Sequence, residues 1–289
     1  MHDHKHAVDW AAISEHMARR QELELPQQRE LLRWLDVPTG ATVADVGCGP
    51  GGMVELLAER VGPTGMVYAV DANEAMRAAT QAVVEACSVD AWVRVLPGDL
   101  EQQDLRSIVG RELDLVHASA VVHHLADEVD GLRRLATALS RGGRLVVVEG
   151  GLPTTHLPAD CGVGRPGLEG RMRELQQQWF WSTVRPPDLH VAPGGPSGWN
   201  EKLLAAGLVE VETRTFLLDL PAPLSMRMRE GVRSHYVEWR ERFGHLLDGE
   251  DIEALEVLID SDDPRGVLHR SDVFVLGART AYVARKDRS

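Results

Sequence analysis

The pattern of apolar and polar positions changes character at Ala41. Upstream, Trp10, Ile13 and Met17 recur at three- and four-residue steps in a polar background, which predicts helix through most of the first 36 residues. Downstream, "ATVADVG", "MVYAVDA", "AWVRVLPGDL", "LDLVHASAVV" and "RLVVVEGG" read as five short apolar strands. "MVELLAERVG", "NEAMRAATQAVVEACSV" and "DGLRRLATALSRGG" carry helical spacing and read as intervening helices. Nearly continuous apolar strands alternating with helices predict an α/β fold with a mostly parallel, doubly wound sheet covered on both faces. Ligands of such sheets gather at the carboxyl ends of the strands, near the reversal of strand order.

After Gly151 the alternation stops. The stretch to about Asn200 holds "QQQWFWSTVRPPDLHVAPGGPSGW", rich in proline, glycine and tryptophan. A helix "WNEKLLAAGL" and a strand "VEVETRTFLLDL" then resume the sheet, and a largely helical stretch from Leu224 to Ile259 precedes a last strand, "DVFVLGARTAYVAR". The expected organisation is a helical cap over 1–40, an α/β core over 41–150, a lid insertion over 151–200, and completion of the sheet over 201–289 with a helical insertion at about 224–259. The insertion containing "HYVEWRERF" fits either further lid or the surface of a homodimer.

Composition narrows the classes. The 289 residues, 44% hydrophobic and 26% charged, suffice for a substantial core. No window approaches the roughly 18 apolar residues of a membrane span, and "MHDHKHAVDW" lacks a signal-peptide core, so a cytoplasmic location without membrane partners is expected. A net charge of −13 with no long basic run argues against nucleic acid. Cys48, Cys87 and Cys161 form no CxxC pair and no disulfide framework. His2, His4 and His6 alternate as some metal-binding tracts do, but a frayed terminus explains them better and no metal is assigned.

The candidate chemistry begins at "VADVGCGPGG", which satisfies G-x-G-x-x-G through Gly47, Gly49 and Gly52. Alone the pattern is weak; a tight turn after a strand produces it too. Asp71 ends the second strand, where a carboxylate can accept from ribose hydroxyls, and Asp99 follows the third, where it can accept from an exocyclic amine. Either acid alone reads as a solvated loop residue; both at successive strand ends after a glycine loop read as one binding site.

These motifs, with "VYAVDAN", "VLPGDLE", "DLVHASAVVHHLAD" and "LSRGGRLVVVEGG" in order, resemble those of class I S-adenosylmethionine-dependent methyltransferases, in the branch of small-molecule and quinone-biosynthesis enzymes. The likeness covers residues 41–150 and more loosely the late strands. It implies a Rossmann-like seven-stranded sheet whose last strand runs antiparallel between the fifth and sixth. It further implies S-adenosylmethionine as cofactor, S-adenosylhomocysteine as product and a small-molecule acceptor. Carried over, Gly47, Cys48, Gly49 and Gly51 belong to the methionine end, with Asp45 orienting the loop. Asp71 would hold the ribose, with Ala72 and Met76 against adenine, and Met76 fits a core role equally. Gly98, Asp99 and Leu100 would meet the adenine edge, and Ala118 and Ser119 the methionine ammonium. For Cys48, neutral packing is preferred over thiol chemistry.

Methyl transfer needs an aligned nucleophile and, for some acceptors, a base. His124 is the preferred base, then His123, with a structural histidine as the competing reading; Glu149 is a third candidate, as base or substrate anchor. His156, His190, His235 and Tyr236 are weaker ones. Trp179 and Trp181 flank Phe180 in the insertion, and with seven tryptophans against four phenylalanines they suggest an apolar or aromatic acceptor, core packing being the alternative. Methyl transfer in bacterial specialised metabolism is the leading reading. A quinone-type C-methyltransferase is a narrower version of it. A protein of the same fold that cyclises or rearranges its substrate without methyl transfer is the alternative. A nicotinamide oxidoreductase is more distant, because Pro50, the "PGDL" acid and the antiparallel last strand speak against it.

Overall fold

The computed structural model describes residues 10–89, 92–184 and 195–288. The helix upstream of Ala41 is one element, α1 (Trp10–Leu35). There follow β1 (Thr42–Val46), α2 (Gly52–Val61), β2 (Met66–Asp71), α3 (Glu74–Ala86), β3 (Val93–Pro97), a short α4 (Leu105–Val109), β4 (Leu113–Ser119) and α5 (Glu128–Ala136). Then come β5 (Leu139–Thr155), α6 (Leu168–Trp179), α7 (Trp199–Ala205), β6 (Val209–Leu220), α8 (Met226–Phe243), α9 (Gly249–Ile259) and β7 (Val275–Arg285). The seven strands pair in the order β3-β2-β1-β4-β5-β7-β6. β1 to β5 run parallel, and β7 runs antiparallel to both neighbours, so the fold is the doubly wound Rossmann-like sheet that the motifs imply. Among the described residues, no helix is long and apolar enough to cross a membrane.

Period-two alternation distributes the sheet's side chains between two cores. On β5, Val146 and Val148 join α1, α2 and α3 on one face, and Leu145 and Val147 join α5 and α7 on the other. Strand order reverses between β1 and β4, and their carboxyl ends open onto the crevice where ligands of such sheets bind.

β5 departs from the sequence pattern at both ends. The spacing predicts helix to Gly143 and a strand ending near Gly151; α5 instead stops at Ala136, Leu139 already pairs with Leu113, and the strand runs on to Thr155. The extension is held by β7: Leu152 lies opposite Ala278 and Thr155 opposite Leu276. The glycines that look like a terminus are an irregularity inside the strand. At Gly151 φ is +116°, and a Cβ would lie 2.2 Å from the carbonyl oxygen of Ala278, so only glycine lets the strands close there.

The extension carries the chain to α6, which packs with α8 and α9 around a third core containing Leu168, Met172, Tyr236, Trp239, Phe243 and Leu255. α6 is tied to α9 by Asp251, whose buried carboxylate accepts from Arg171 at 2.6 and 2.7 Å and from Arg165 at 2.9 and 3.2 Å. The two guanidiniums hold this carboxyl well below the ordinary aspartate range. A depressed folded pKa contributes stability that is present above the unfolded value and is lost as the pH falls below it. Asp251→Asn is therefore expected to cost about 2 kcal/mol at pH 7, about 5 °C in Tm by calorimetry. The difference from the parent should narrow as the pH drops below the ordinary aspartate range; a difference constant with pH would contradict the assignment.

Candidate active site

The loop between β1 and α2 turns through three residues of positive φ, Gly47 (+67°), Gly49 (+54°) and Gly51 (+94°). At Gly47 an added Cβ would come within 2.2 Å of Val121 Cγ2, so glycine lets this loop lie flat against the segment that follows β4. Most of its N–H groups are committed inside the protein. Gly47 and Cys48 donate to Val70 O, Gly49 to Asp71 Oδ2 and Gly51 to Cys48 O, while Pro50 has none. A dinucleotide pyrophosphate needs such donors free, so the loop is better suited to a ligand without phosphate.

The loop floors a cavity of about 240 Å³, roofed by Met17, Gln21 and Gln27 of α1 and walled by Asp45, His117 and Ser119. Asp45 and His117 are register partners on β1 and β4, and Nδ1 of the histidine lies 2.7 Å from Asp45 Oδ1 with both side chains no more than 3% exposed. The carboxylate accepts, so Nδ1 carries a proton; Nε2, an acceptor in the neutral ring, is buried without a partner among the described residues. An unpaired buried acceptor beside a glycine loop fits the α-ammonium group of S-adenosylmethionine. Sequence reasoning singles out the histidines after β4 and passes over His117; only the register of β1 against β4 would have picked it out. Cys48 packs against Thr80 (Sγ to Oγ1 3.5 Å), and burial, reinforced by Asp45, pushes its thiol well up, so it is neutral there.

The remaining cofactor candidates lie at the ends of β2 to β4. Asp71 Oδ1 accepts from Asn73 N at 2.8 Å and Oδ2 from Gly49 N at 3.1 Å, so this carboxylate joins the glycine loop to the start of α3. Burial raises its pKa above the ordinary aspartate value despite these bonds. Ala72 is exposed beside it and Met76 is buried on α3. Gly98 donates to Asp71 O. Asp99 accepts from Glu101 N and from the Gln102 amide, both at 2.9 Å, so an adenine amine would have to share or displace the glutamine. Leu100 and Ala118 are buried in the core beneath the site, whereas Ser119 reaches the cavity. Ala120 adopts φ +55°, a strained conformation for alanine at the cavity wall.

Beyond β4 the structure redistributes the candidate bases. Glu149 Oε1 accepts from the backbone N–H groups of Val121 (3.1 Å), Val122 (3.0 Å) and His123 (3.4 Å), and Oε2 from His123 Nδ1 (2.7 Å). Both oxygens of Glu149 are thus committed to the loop that follows β4, which they clamp. His123 is left with Nε2 as an acceptor and a carboxylate behind it, the arrangement of an oriented general base. His124 is exposed, with its ring centroid 4.0 Å from that of His123. This geometry orients the His123 ring and leaves His124 at the surface.

A second cavity of about 500 Å³ adjoins the first, and Arg20 and Arg279 line both. Its walls are Gly150–Thr154 of the β5 extension, Met172 and Arg173 of α6, Phe180, Trp181, and His235, Tyr236 and Trp239 of α8. The Phe180 ring lies 5.6 Å from that of His123, which puts the oriented histidine behind this wall. Trp181 lines the cavity and is 55% exposed. Trp179 lines neither cavity; its ring packs edge-on to Phe243 at 5.1 Å beneath the Arg242 guanidinium, so of the two tryptophans it has the packing role. His156 and Tyr236 both bond Glu169, at 2.9 and 3.0 Å, in a network behind the wall. His2, His4, His6 and His190 lie outside the described residues.

Residues 44–145 match the family model described as a methyltransferase domain. The trans-aconitate 2-methyltransferase of Variovorax paradoxus is 35% identical over 124 residues, 41% of this chain and 42% of that protein. The aklanonic acid methyltransferase DauC of a Streptomyces species is 33% identical over 125 residues, 42% of this chain and 53% of that protein. The chain spans about half or less of the length of these curated relatives. Among solved structures, YcgJ of Bacillus subtilis superposes with a TM-score of 0.51 at 17% identity, covering 90% of this chain and 98% of that one. Phosphoethanolamine N-methyltransferase 2 of Haemonchus contortus, in complex with S-adenosyl-L-methionine, gives 0.50 at 16%, covering 95% and 57%. At such identities the structural likeness concerns the fold.

Proposed function

We propose that the protein is a class I S-adenosylmethionine-dependent methyltransferase that transfers a methyl group from that cofactor to a small molecule held in the second cavity; the match of residues 44–145 to a methyltransferase domain supports this reading. The observation that carries this reading is the continuity of the two cavities: one is floored by the glycine loop with the His117 acceptor, the other lies under the insertion, and both share Arg20 and Arg279. S-adenosylmethionine supplies an already activated methyl group, so the protein's own tasks are alignment, exclusion of water and removal of a proton where the acceptor carries one. His117, Gly47, Gly49 and Ser119 would hold the methionine end and Asp71 the ribose. α1 roofs the cofactor cavity against solvent. α6 and the Phe180–Trp181 turn shape the acceptor's space. Where a proton must leave, His123, oriented by Glu149, is the base this reading offers, on condition that Phe180 moves aside to give it access to the acceptor. We further infer a setting in bacterial specialised metabolism, supported by bacterial relatives such as the Streptomyces aklanonic acid methyltransferase.

Titration of the purified protein by calorimetry tests the cofactor half directly. Micromolar binding of S-adenosylmethionine with no heat from NADH is expected, followed by release of S-adenosylhomocysteine when an acceptor is added. Binding of NADH alone would overturn the reading, and product formation without S-adenosylhomocysteine would select a rearrangement in place of methyl transfer.

A further inference from the structure

The polar lining of the second cavity is one-sided. Its carboxylate, Glu169, is fully engaged: it accepts from His156 N (3.0 and 3.1 Å), Leu157 N (3.2 Å), His156 Nδ1 (2.9 Å) and the Tyr236 hydroxyl (3.0 Å). What remains, besides the Thr154 hydroxyl and the Gln176 and Gln177 amides, which donate and accept alike, is a set of donors. Arg20 donates to His235 Nδ1 at 3.0 Å, and a guanidinium never accepts, so the imidazole carries its proton on Nε2 and presents an N–H. Burial keeps that ring neutral, well below its ordinary pKa. Trp239 is 3% exposed and its Nε1–H is buried without a partner among the described residues.

The cations are equally uneven. Arg20 is compensated by Glu238 at 3.0 Å. Arg173 donates to the neutral Thr155 hydroxyl at 3.0 Å and has no carboxylate partner among the described residues. The guanidinium of Arg279, at the junction of the two cavities, forms no hydrogen bond or ion pair among the described residues. Two uncompensated guanidiniums therefore belong to residues that line one space, beside His235 and Trp239, in a chain of net charge −13. Cations without a free carboxylate complement an anion, and a guanidinium fork matches a carboxylate in shape as well as charge.

We propose that the acceptor molecule carries a carboxylate, bound by Arg279 and Arg173 with the N–H groups of His235 and Trp239, and that its planar apolar part lies against Phe180 and Trp181. The proposal rests on the methyltransferase reading and names the substrate class of that site. It also extends the expectation of an apolar or aromatic acceptor: the rings supply one wall and the arginines the recognition.

The test titrates 1-naphthoate and its neutral counterpart 1-naphthamide into the full chain, with and without saturating S-adenosylhomocysteine. Naphthoate is expected to bind at least about tenfold more tightly than the amide, the size of one charge-assisted hydrogen bond. Arg173→Gln and Arg279→Gln should each weaken naphthoate about tenfold while leaving the amide and S-adenosylhomocysteine unchanged. Equal binding of acid and amide, or binding of neither, overturns the proposal. So does an Arg279→Gln variant that loses affinity for S-adenosylhomocysteine and not for naphthoate, because its guanidinium would then serve the cofactor's own carboxylate. Failure of S-adenosylhomocysteine to bind at all counts against the methyltransferase reading instead, and the titration without it still reads the preference for the acid.

Discussion

Replacing Asp71 with alanine is expected to raise the Kd for S-adenosylmethionine by about two orders of magnitude in a calorimetric titration. The carboxylate does two jobs at once. It holds Gly49 N at 3.1 Å and Asn73 N at 2.8 Å, fixing the glycine loop against the start of α3, and at the end of β2 it is the acceptor available to a ribose. Each N–H left unpaired costs about 1–3 kcal/mol, and two such losses amount to roughly a hundredfold in affinity before any ribose contact is counted. The pH dependence separates this role from general damage. Because burial raises the Asp71 pKa, protonation begins at a higher pH than for a solvated aspartate. Cofactor affinity should therefore weaken on acidification while the unliganded fold is still intact. The sign for stability is the opposite: the ionised, buried carboxylate costs the empty fold some stability above its raised pKa, and acid relieves that cost. Asp71→Asn should bind weakly at every pH, with the acid-dependent part of the profile gone. A variant that keeps parental affinity and the parental profile would remove Asp71 from the site.

The second large effect concerns Glu149. Glu149→Ala is expected to lower kcat by a hundredfold or more with a change of only a few fold in the Kd for S-adenosylmethionine. Removing this carboxylate leaves the N–H groups of Val121, Val122 and His123 and the His123 ring without their shared acceptor. The loop that carries the candidate base then has no fixed position, and a displacement of about 1 Å at a reacting group suffices for a hundredfold loss. A stability cost of about 3 kcal/mol should accompany it, seen as a lower Tm. Glu149→Gln retains an acceptor oxygen for the backbone but loses the anion behind the imidazole. It should recover most of the Tm and only part of kcat. His123→Asn should match the kcat loss without the Tm loss, and His124→Asn should do neither. If His124→Asn removes activity while His123→Asn does not, the base is the exposed ring and the preference drawn from the geometry is wrong.

The order of elements was legible because each strand is a short, almost uninterrupted apolar run and each helix keeps its spacing; the five motifs placed the acids and glycines at the strand ends where the structure has them. Legibility failed where the information is not local. The length of β5 depends on a partner strand more than 120 residues later in the chain, and no window around Gly150 and Gly151 contains it. His117 is invisible for the same reason, since its meaning lies in the parallel register that brings it to Asp45. α6 carries few apolar residues, and its buried face, Leu168 and Met172, becomes apparent only against the core it joins. The two tryptophans of "WFW" have different surroundings because the chain stays helical past the end of α6, through Phe180–Val184, and residues two apart on a helix lie on nearly opposite faces.

α1 and α8 meet through the bond between His16 and Ser234, 218 residues apart in the chain, and α1 and β7 both contribute to the wall around the glycine loop. Closing such long loops is entropically expensive and comes late in folding. The binding cavity therefore does not exist in any partly folded chain that lacks these contacts, and the cofactor has nothing to template. Its influence should be felt on the way out: a bound nucleoside slows unfolding and leaves the rate of folding almost untouched.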